Sequence, residues 1–233
     1  LVVLCIYTRA KIDKVKYGLK PVYDGRLLIK VLNLSVWSML HAFISVAPWF
    51  LFFVAIEHLG KTELAISNIT RSVSAIFFVI ANSFAVTTGS LVSNAIGARA
   101  RNELFPICHK VLKLGYAVGI PFVVVALLCN RWIVSFYTDN ELLIELAFAP
   151  FVVMLLNYTF ALPGYVYLNA VGGTGKTKIT FLFQVTTTCL YLVYLYWLSF
   201  CIEASLPLYL TAEYLFVILL ALQSILYLKS KHY

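Results

Sequence analysis

The chain has 233 residues, of which 62% are hydrophobic and only 12% charged, and its formal net charge is +8. Soluble domains carry about 25% charged residues, so this composition, with a mean hydropathy of +0.90, excludes a soluble globular protein. Several apolar runs exceed the roughly 20 residues needed to cross a bilayer. The composition therefore predicts an all-α, polytopic membrane protein that contacts membrane lipids.

The first segment, LVVLCIY, is apolar but lacks the basic region and the small-residue cleavage site of a signal peptide. We expect it to be the end of a spanning helix whose beginning lies outside this chain. Residues 1–26 are then predicted to be that helix end followed by a cytoplasmic linker, and residues 27–233 to be a six-helix transmembrane bundle.

Six full spans are predicted after the opening segment. Several are longer than a bilayer requires, which predicts tilt or extension beyond the membrane. In chain order they are Leu27–Ile56, Leu64–Ile96, Glu103–Val134, Leu142–Val171, Ile179–Cys201 and Leu206–Leu228.

The basic residues are distributed unevenly between the two sides that these spans define. Alternate connections on one side carry fifteen of the 18 lysines and arginines, whereas acidic residues collect on the other side. The positive-inside rule makes the basic side cytoplasmic. This predicts a multi-pass protein of the cell (inner) membrane with a cytoplasmic C-terminus, and it explains the charge excess without nucleic acid as a partner.

The stretch VGGTGKTK resembles a nucleotide-binding phosphate loop, G-x-x-x-x-G-K-[ST], but Ala170 occupies the position of the first glycine. Such a loop also needs a strand before it and a helix after it, and here both neighbours belong to spanning helices. We predict a turn between two spans, not an ATPase site. No metal-ligand spacing of His, Cys or acidic residues is present, so no cofactor or metal is expected.

Polar residues inside the predicted spans are candidates for a site because burying them in lipid costs free energy. His41 lies in the first span and could relay protons, contact a ligand, or simply pack through hydrogen bonds. Pro48 frees a backbone carbonyl in the same helix and predicts a kink. In the second span, Arg71 and Asn82 are three helical turns apart and share a face. Both could line a cavity, although Arg71 could instead extend its side chain to the outer interface.

The fourth span contains a mixture of aromatic and amide side chains around Pro163-Gly164. This dipeptide predicts a broken or bent helix in mid-membrane, which is a common device at transporter sites. Asn157, Tyr165 and Asn169 suit an amphipathic or cationic organic ligand, and packing is the alternative. Glu213 in the last span is the one carboxylate expected within the hydrocarbon. It could couple transport to an ion, but an interfacial position is the favoured interpretation.

Three stretches together resemble the C-terminal half of a multidrug and toxic compound extrusion (MATE) transporter. They are WFLFFVAIEHLGKTELAISNITRS, SLVSNAIGARARNE and YLNAVGGTGKTK. The similarity lies in Leu59-Gly60 through Asn68, in Ile96 to Arg99, and in Gly172 to Lys178.

The resemblance implies a twelve-helix protein in which this chain is the C-terminal six-helix lobe and an N-terminal six-helix lobe is its partner. It also implies export of small organic cations or amphipathic compounds in antiport with Na⁺ or H⁺. In some members a Glu of the seventh span and an Asp of the tenth bind the coupling cation. The matching stretches here, WSMLHAFIS and YTFALPGYV, have no carboxylate. Any cation site is therefore expected to use the other lobe or His41.

Two other functions compete with this interpretation. A lipid-linked saccharide flippase of the same superfamily would need several cations for a pyrophosphate group, and only Arg71 is available within a span. An intramembrane enzyme using His41 or Glu213 would need an acid–base or metal partner, and the sequence shows no H-x-x-x-H or paired Asp. The sequence therefore favours a transporter that is not an enzyme.

Overall fold

The computed structural model describes residues 24–57, 59–202 and 204–230. Within these ranges the chain forms helices and turns, with no strand. The prediction that residues 1–23 contain a helix end and most of the linker falls outside the described residues, as does the final tripeptide of the C-terminus.

The eight α-helices are joined by short connections. They are α1 (Gly25–Glu57), α2 (Lys61–Gly97), α3 (Leu104–Leu128), α4 (Asn130–Ser135), α5 (Glu141–Leu156), α6 (Tyr158–Gly173), α7 (Thr177–Trp197) and α8 (Leu206–Ser230). A short 3₁₀ helix, Arg101–Glu103, precedes α3, and a π-helical turn, Leu198–Ile202, extends α7. Together they supply six helices long and apolar enough to cross a membrane, with α5 and α6 forming one span. The six predicted spans are confirmed.

The bundle is organised around α2, α6 and α8. Helix α6 packs between α2 and α8, while α1 packs mainly on α7. The α2–α6 crossing is very close, because a Cβ atom on Gly173 would lie 2.5 Å from the carbonyl oxygen of Gly89. At the same crossing the hydroxyl of Ser93 donates to the Gly173 carbonyl at 2.9 Å. This contact fits the preference of membrane helices for small residues and hydroxyls where backbones meet.

The helix is not broken at Pro163-Gly164, and a bend there stays a prediction. Both residues lie inside α6, and the span is interrupted at Asn157, where α5 ends and α6 begins. Proline cannot donate a hydrogen bond to the carbonyl four residues earlier, and here the Tyr116 hydroxyl donates to that Thr159 carbonyl at 2.7 Å. Helix α1 likewise runs unbroken through the buried Pro48. The hinge role of these residues stays a prediction.

Gly164 is a contact residue between helices. A Cβ atom there would lie 2.7 Å from the carbonyl oxygen of Val217 on α8. A side chain at this position would therefore push α6 away from α8.

We expect Gly164→Ala and Gly173→Ala each to lower the free energy of unfolding by about 1–3 kcal/mol, the usual cost of overpacking. Gly97→Ala is the matched control, because a Cβ atom there meets nothing within 4 Å. Denaturant unfolding in detergent micelles, followed by circular dichroism, measures the difference. Equal stability of Gly97→Ala and the two packed variants would contradict the contact.

The VGGTGKTK segment forms the predicted turn. Helix α6 ends at Gly173 and α7 begins at Thr177, and Gly175 adopts a φ of 78°, which favours glycine. The backbone N–H of Gly175 bonds back to the Gly172 carbonyl at 2.9 Å. Lys178 lies 5.3 Å from the centre of the Trp37 ring, which ties the start of α7 to α1. The segment has helices on both sides, so the phosphate-loop interpretation is excluded.

Candidate functional site: an ion pair beside a chain of cavities

An ion pair lies in the interior of the bundle between α2 and α8. The Nη2 atom of Arg71 is 2.5 Å from Oε1 of Glu213, and these residues are separated by 142 positions in the chain. The Arg71 side chain is 2% exposed and that of Glu213 is 12% exposed. A buried charge is tolerated only when it is paired, so the burial of each residue depends on the other.

Three aromatic rings of α1 surround the guanidinium group of Arg71. Its Cζ atom lies 3.9 Å from the ring centre of Phe52, 5.0 Å from that of Trp49 and 5.4 Å from that of Phe53. Arginine is attracted to aromatic faces within about 6 Å. The three rings and the carboxylate therefore contact the same cation. We call Trp49, Phe52, Phe53 and Glu213 the aromatic cage.

Tyr191 on α7 adds a fourth helix to this contact. Its hydroxyl donates to Oε1 of Glu213 at 3.2 Å, and the residue is fully buried. The Nε and Nη1 atoms of Arg71 have no hydrogen-bond acceptor among the described residues. They belong to the guanidinium group that the rings surround, where N–H groups interact with aromatic faces. The ion pair thus connects α1, α2, α7 and α8.

One sequence-based expectation is corrected by this geometry. Arg71 does not extend its side chain to the outer interface, because that side chain is buried against Glu213. The side chain of Glu213 lies inside the bundle, and its interfacial depth and its role in coupling stay predictions. The sequence could not reveal this pairing, because it gives only the distance of each residue from the ends of its own helix. The partner lies on another helix.

The central cavity adjoins the ion pair and has a volume of about 140 Å³. It brings together five of the predicted cavity residues and Pro48, and its lining comes from the five helices α1, α2, α6, α7 and α8. Its lining consists of His41, Ser45, Pro48, Trp49, Phe78, Asn82, Tyr165, Leu168, Asn169, Gln184, Glu213 and Phe216.

A smaller inner cavity of about 50 Å³ shares Trp49, Phe78, Tyr165 and Glu213 with the central cavity. It is also lined by Asn157, which is 8% exposed and whose Oδ1 atom has no partner in the described part of the chain. An unpaired buried amide oxygen is costly, so a water or a ligand donor is expected there.

A wider cavity of about 400 Å³ lies beside the turn between α6 and α7. His41, Leu168 and Asn169 are common to this wide cavity and the central cavity. The Nε2 atom of His41 is buried and has no hydrogen-bond partner in the ranges described. The Asn169 amide nitrogen donates to the Tyr165 carbonyl within α6 at 2.9 Å, which fixes its orientation. Histidine and asparagine therefore stand where two cavities meet.

Sequence reasoning missed part of this site. Phe78 was not singled out, although its ring packs edge-on against Tyr165 with 5.5 Å between centres. Tyr191, Phe52 and Phe53 were missed as well. The chain has 17 phenylalanines and 15 tyrosines, so aromatic character alone could not distinguish wall residues from lipid-facing ones.

The side chains that line the cavities are of the kinds that bind small molecules. Their walls offer stacking surfaces, amide and hydroxyl groups, and one paired carboxylate. Within the described ranges, no group of three or more His, Cys, Asp or Glu residues could hold a metal ion.

Comparison with known proteins supports these observations at the level of family and fold. The family model MatE matches residues 38–198, which is more than half of the chain. No curated protein matches the sequence significantly.

Solved structures share the fold at low sequence identity. "Crystal structure of MATE in the bent conformation" has a TM-score of 0.75 and 18% identity, with coverage of 85% of this chain and 44% of that one. An outward-facing multidrug resistance MATE family transporter of the MOP superfamily has a TM-score of 0.70 and 17% identity, with coverage of 89% of this chain and 47% of that one. A MOP superfamily transporter from Pyrococcus furiosus, described as having a binding pocket of reverse polarity, has a TM-score of 0.70 and 18% identity. The match covers 84% of this chain and 43% of that one. The chain therefore spans less than half the length of these structures.

Proposed function

The chain belongs to the MatE family of membrane transporters, and we propose that it is one lobe of a secondary-active exporter. The proposed substrates are cationic or amphipathic organic compounds, and the proposed driving force is an inward gradient of Na⁺ or H⁺. The observation that carries the proposal is the pair of adjoining cavities, central and wide, inside a six-span bundle. Apolar pockets with a few convergent polar groups are typical small-molecule sites.

The walls of the central cavity suit amphipathic ligands. Tyr165 and Phe78 offer aromatic surfaces, while Asn82 and Asn169 offer amide groups that accept and donate hydrogen bonds. His41 borders both the central and the wide cavity, so a ligand or proton moving between them would pass it. We propose His41 as the residue that contacts the transported species at this junction.

A second lobe is the proposed partner of this chain. Helix α2 exposes polar side chains, among them Asn82, Thr87 and Ser90, although it is long and apolar enough to span a membrane. A polar face in a membrane helix needs water or another protein surface beside it. We propose that an N-terminal six-helix lobe stands opposite this face and that the two lobes rock around the cavities.

The saccharide-flippase alternative is less consistent with the charges of the site. A pyrophosphate group needs several free cations, whereas the guanidinium of Arg71 is already paired with Glu213. No lysine or arginine of residues 24–57, 59–202 and 204–230 lines the inner, central or wide cavity.

Ethidium efflux from cells that produce the full-length protein tests the proposed function. We expect efflux to stop when the Na⁺ gradient is collapsed with monensin or the proton gradient with a protonophore, depending on the coupling ion. Inhibiting ATP synthesis while the gradients are maintained should have no effect. Cells with the empty vector provide the baseline. Efflux that continues after both gradients collapse, or no transport of any cationic dye, would refute the proposal.

A further inference from the structure

The aromatic cage has the composition of a site for organic cations. Several aromatic faces combined with a carboxylate form the usual receptor for ammonium and guanidinium groups. In this protein the cage already contains a guanidinium group, which belongs to Arg71 and lies 3.9 Å from the ring centre of Phe52. A site suited to an organic cation is therefore occupied by a side chain of the protein itself.

The cage is part of the cavity wall. Trp49 and Glu213 line both the inner and the central cavity. A ligand in either cavity would consequently meet the carboxylate of Glu213. The carboxylate would meet that ligand while already bonded to Arg71 and Tyr191 through Oε1.

The charges around the cavities sum to zero once Arg71 is included. Among the described residues that line the three cavities, Glu213 is the one that bears a formal charge. The titratable side chains that share these walls with it are His41, Tyr158 and Tyr165. In the part of the chain that the structure describes, an organic cation entering the central cavity would therefore find dipoles and aromatic faces, but no free negative charge to offset its own.

We propose that Arg71 is a built-in counter-ion that closes the aromatic cage to external cations, so that this lobe binds the uncharged aromatic part of a ligand. The inference rests on the proposed function, because it names the part of the substrate that this lobe recognises. The charge of a cationic substrate then has to be balanced outside the inner, central and wide cavities.

A pair of probes that differ in charge and little else tests the inference. Quinoline is uncharged near neutral pH, and N-methylquinolinium is its permanently charged derivative. The full 233-residue chain in nanodiscs of a zwitterionic phospholipid is dialysed against each probe, with empty nanodiscs correcting for partition into lipid. We expect the unmodified chain to bind quinoline at least as tightly as N-methylquinolinium.

Removal of the counter-ion should reverse this preference. In Arg71→Gln the cage is vacant and Glu213 is unpaired, so we expect at least a tenfold gain in affinity for N-methylquinolinium and little change for quinoline. The double variant Arg71→Gln, Glu213→Gln should lose that gain because the attracting charge is gone. Arg71→Lys keeps the positive charge and should keep the original preference.

Different outcomes separate this inference from the proposed function. An unmodified chain that prefers N-methylquinolinium by tenfold would overturn the inference, whether or not any variant folds. A folded Arg71→Gln chain with no gain would overturn it too, as would the same gain in the double variant. Failure of ethidium efflux with the expected probe preference intact would refute the proposed function alone.

Discussion

Replacing Arg71 by leucine is expected to lower the free energy of unfolding of the bundle by about 3–5 kcal/mol, the largest stability loss we anticipate for a single side chain. The cost comes mainly from Glu213, which would remain buried without its cation. Loss of the contacts with three aromatic rings of α1 adds to it. Unfolding in mixed micelles, followed by circular dichroism, measures the effect.

A double variant separates the unpaired charge from lost packing. Arg71→Leu, Glu213→Leu removes both charges, and buried ion pairs replaced by apolar residues are often neutral or stabilising. We therefore expect the double variant to recover more than half of the loss. Arg131→Leu is the matched control at an exposed position of α4, where substitutions change stability by roughly 0.5 kcal/mol or less. A double variant no more stable than Arg71→Leu would contradict the importance of the pair.

The spans were predictable because the signal for them is local. Each contains enough consecutive apolar residues to identify it, and charged residues mark its ends, so six spans follow from hydropathy and charge. The ion pair, in contrast, depends on a contact between residues that are far apart in the sequence. Arg71 and Glu213 are 142 positions apart, and only the packing of α2, α6 and α8 brings them together. Hydropathy gives the length of each helix but not its rotation about its axis.

In the fourth span, the rule that proline removes a backbone hydrogen-bond donor holds, but it does not give the position at which the helix is interrupted. Pro163 removes a backbone donor, which leaves the carbonyl four residues earlier without its helical hydrogen bond. The structure satisfies that carbonyl with Tyr116 from α3, so α6 continues through the proline. The interruption instead falls at Asn157. Compensation by a neighbouring helix depends on tertiary contacts, which a proline–glycine pair in the sequence cannot reveal.

The clustering of the site residues was partly predictable. Helical periodicity places Tyr165 and Asn169 one turn apart on α6, and both line the central cavity together with His41 from α1. The choice of polar residues within spans identified these side chains because lipid disfavours them. The aromatic half of the site could not be found in this way, since lipid and cavity walls both favour rings.

The largest effect on transport is expected from Tyr165→Ala in the full-length exporter. Tyr165 lines the inner and central cavities, and its ring packs edge-on against Phe78 of α2. Removing a central aromatic anchor typically costs at least about 2 kcal/mol of binding, or roughly thirtyfold in affinity. We therefore expect the apparent KM for ethidium to rise by roughly thirtyfold, while Tyr165→Phe, which keeps the ring, should change it only a few-fold.

Phe160→Ala is the control that separates ligand binding from helix packing. Phe160 lies on the same helix and packs against Tyr214 with 5.4 Å between ring centres, close to the 5.5 Å of the Tyr165–Phe78 pair. It lines none of the three cavities. Its loss should therefore lower thermal stability without changing KM. If Phe160→Ala raises KM as much as Tyr165→Ala does, the cavity wall is not the substrate site. A selective rise for Tyr165→Ala means that the ring contacts the transported molecule, because lost helix packing is common to both variants.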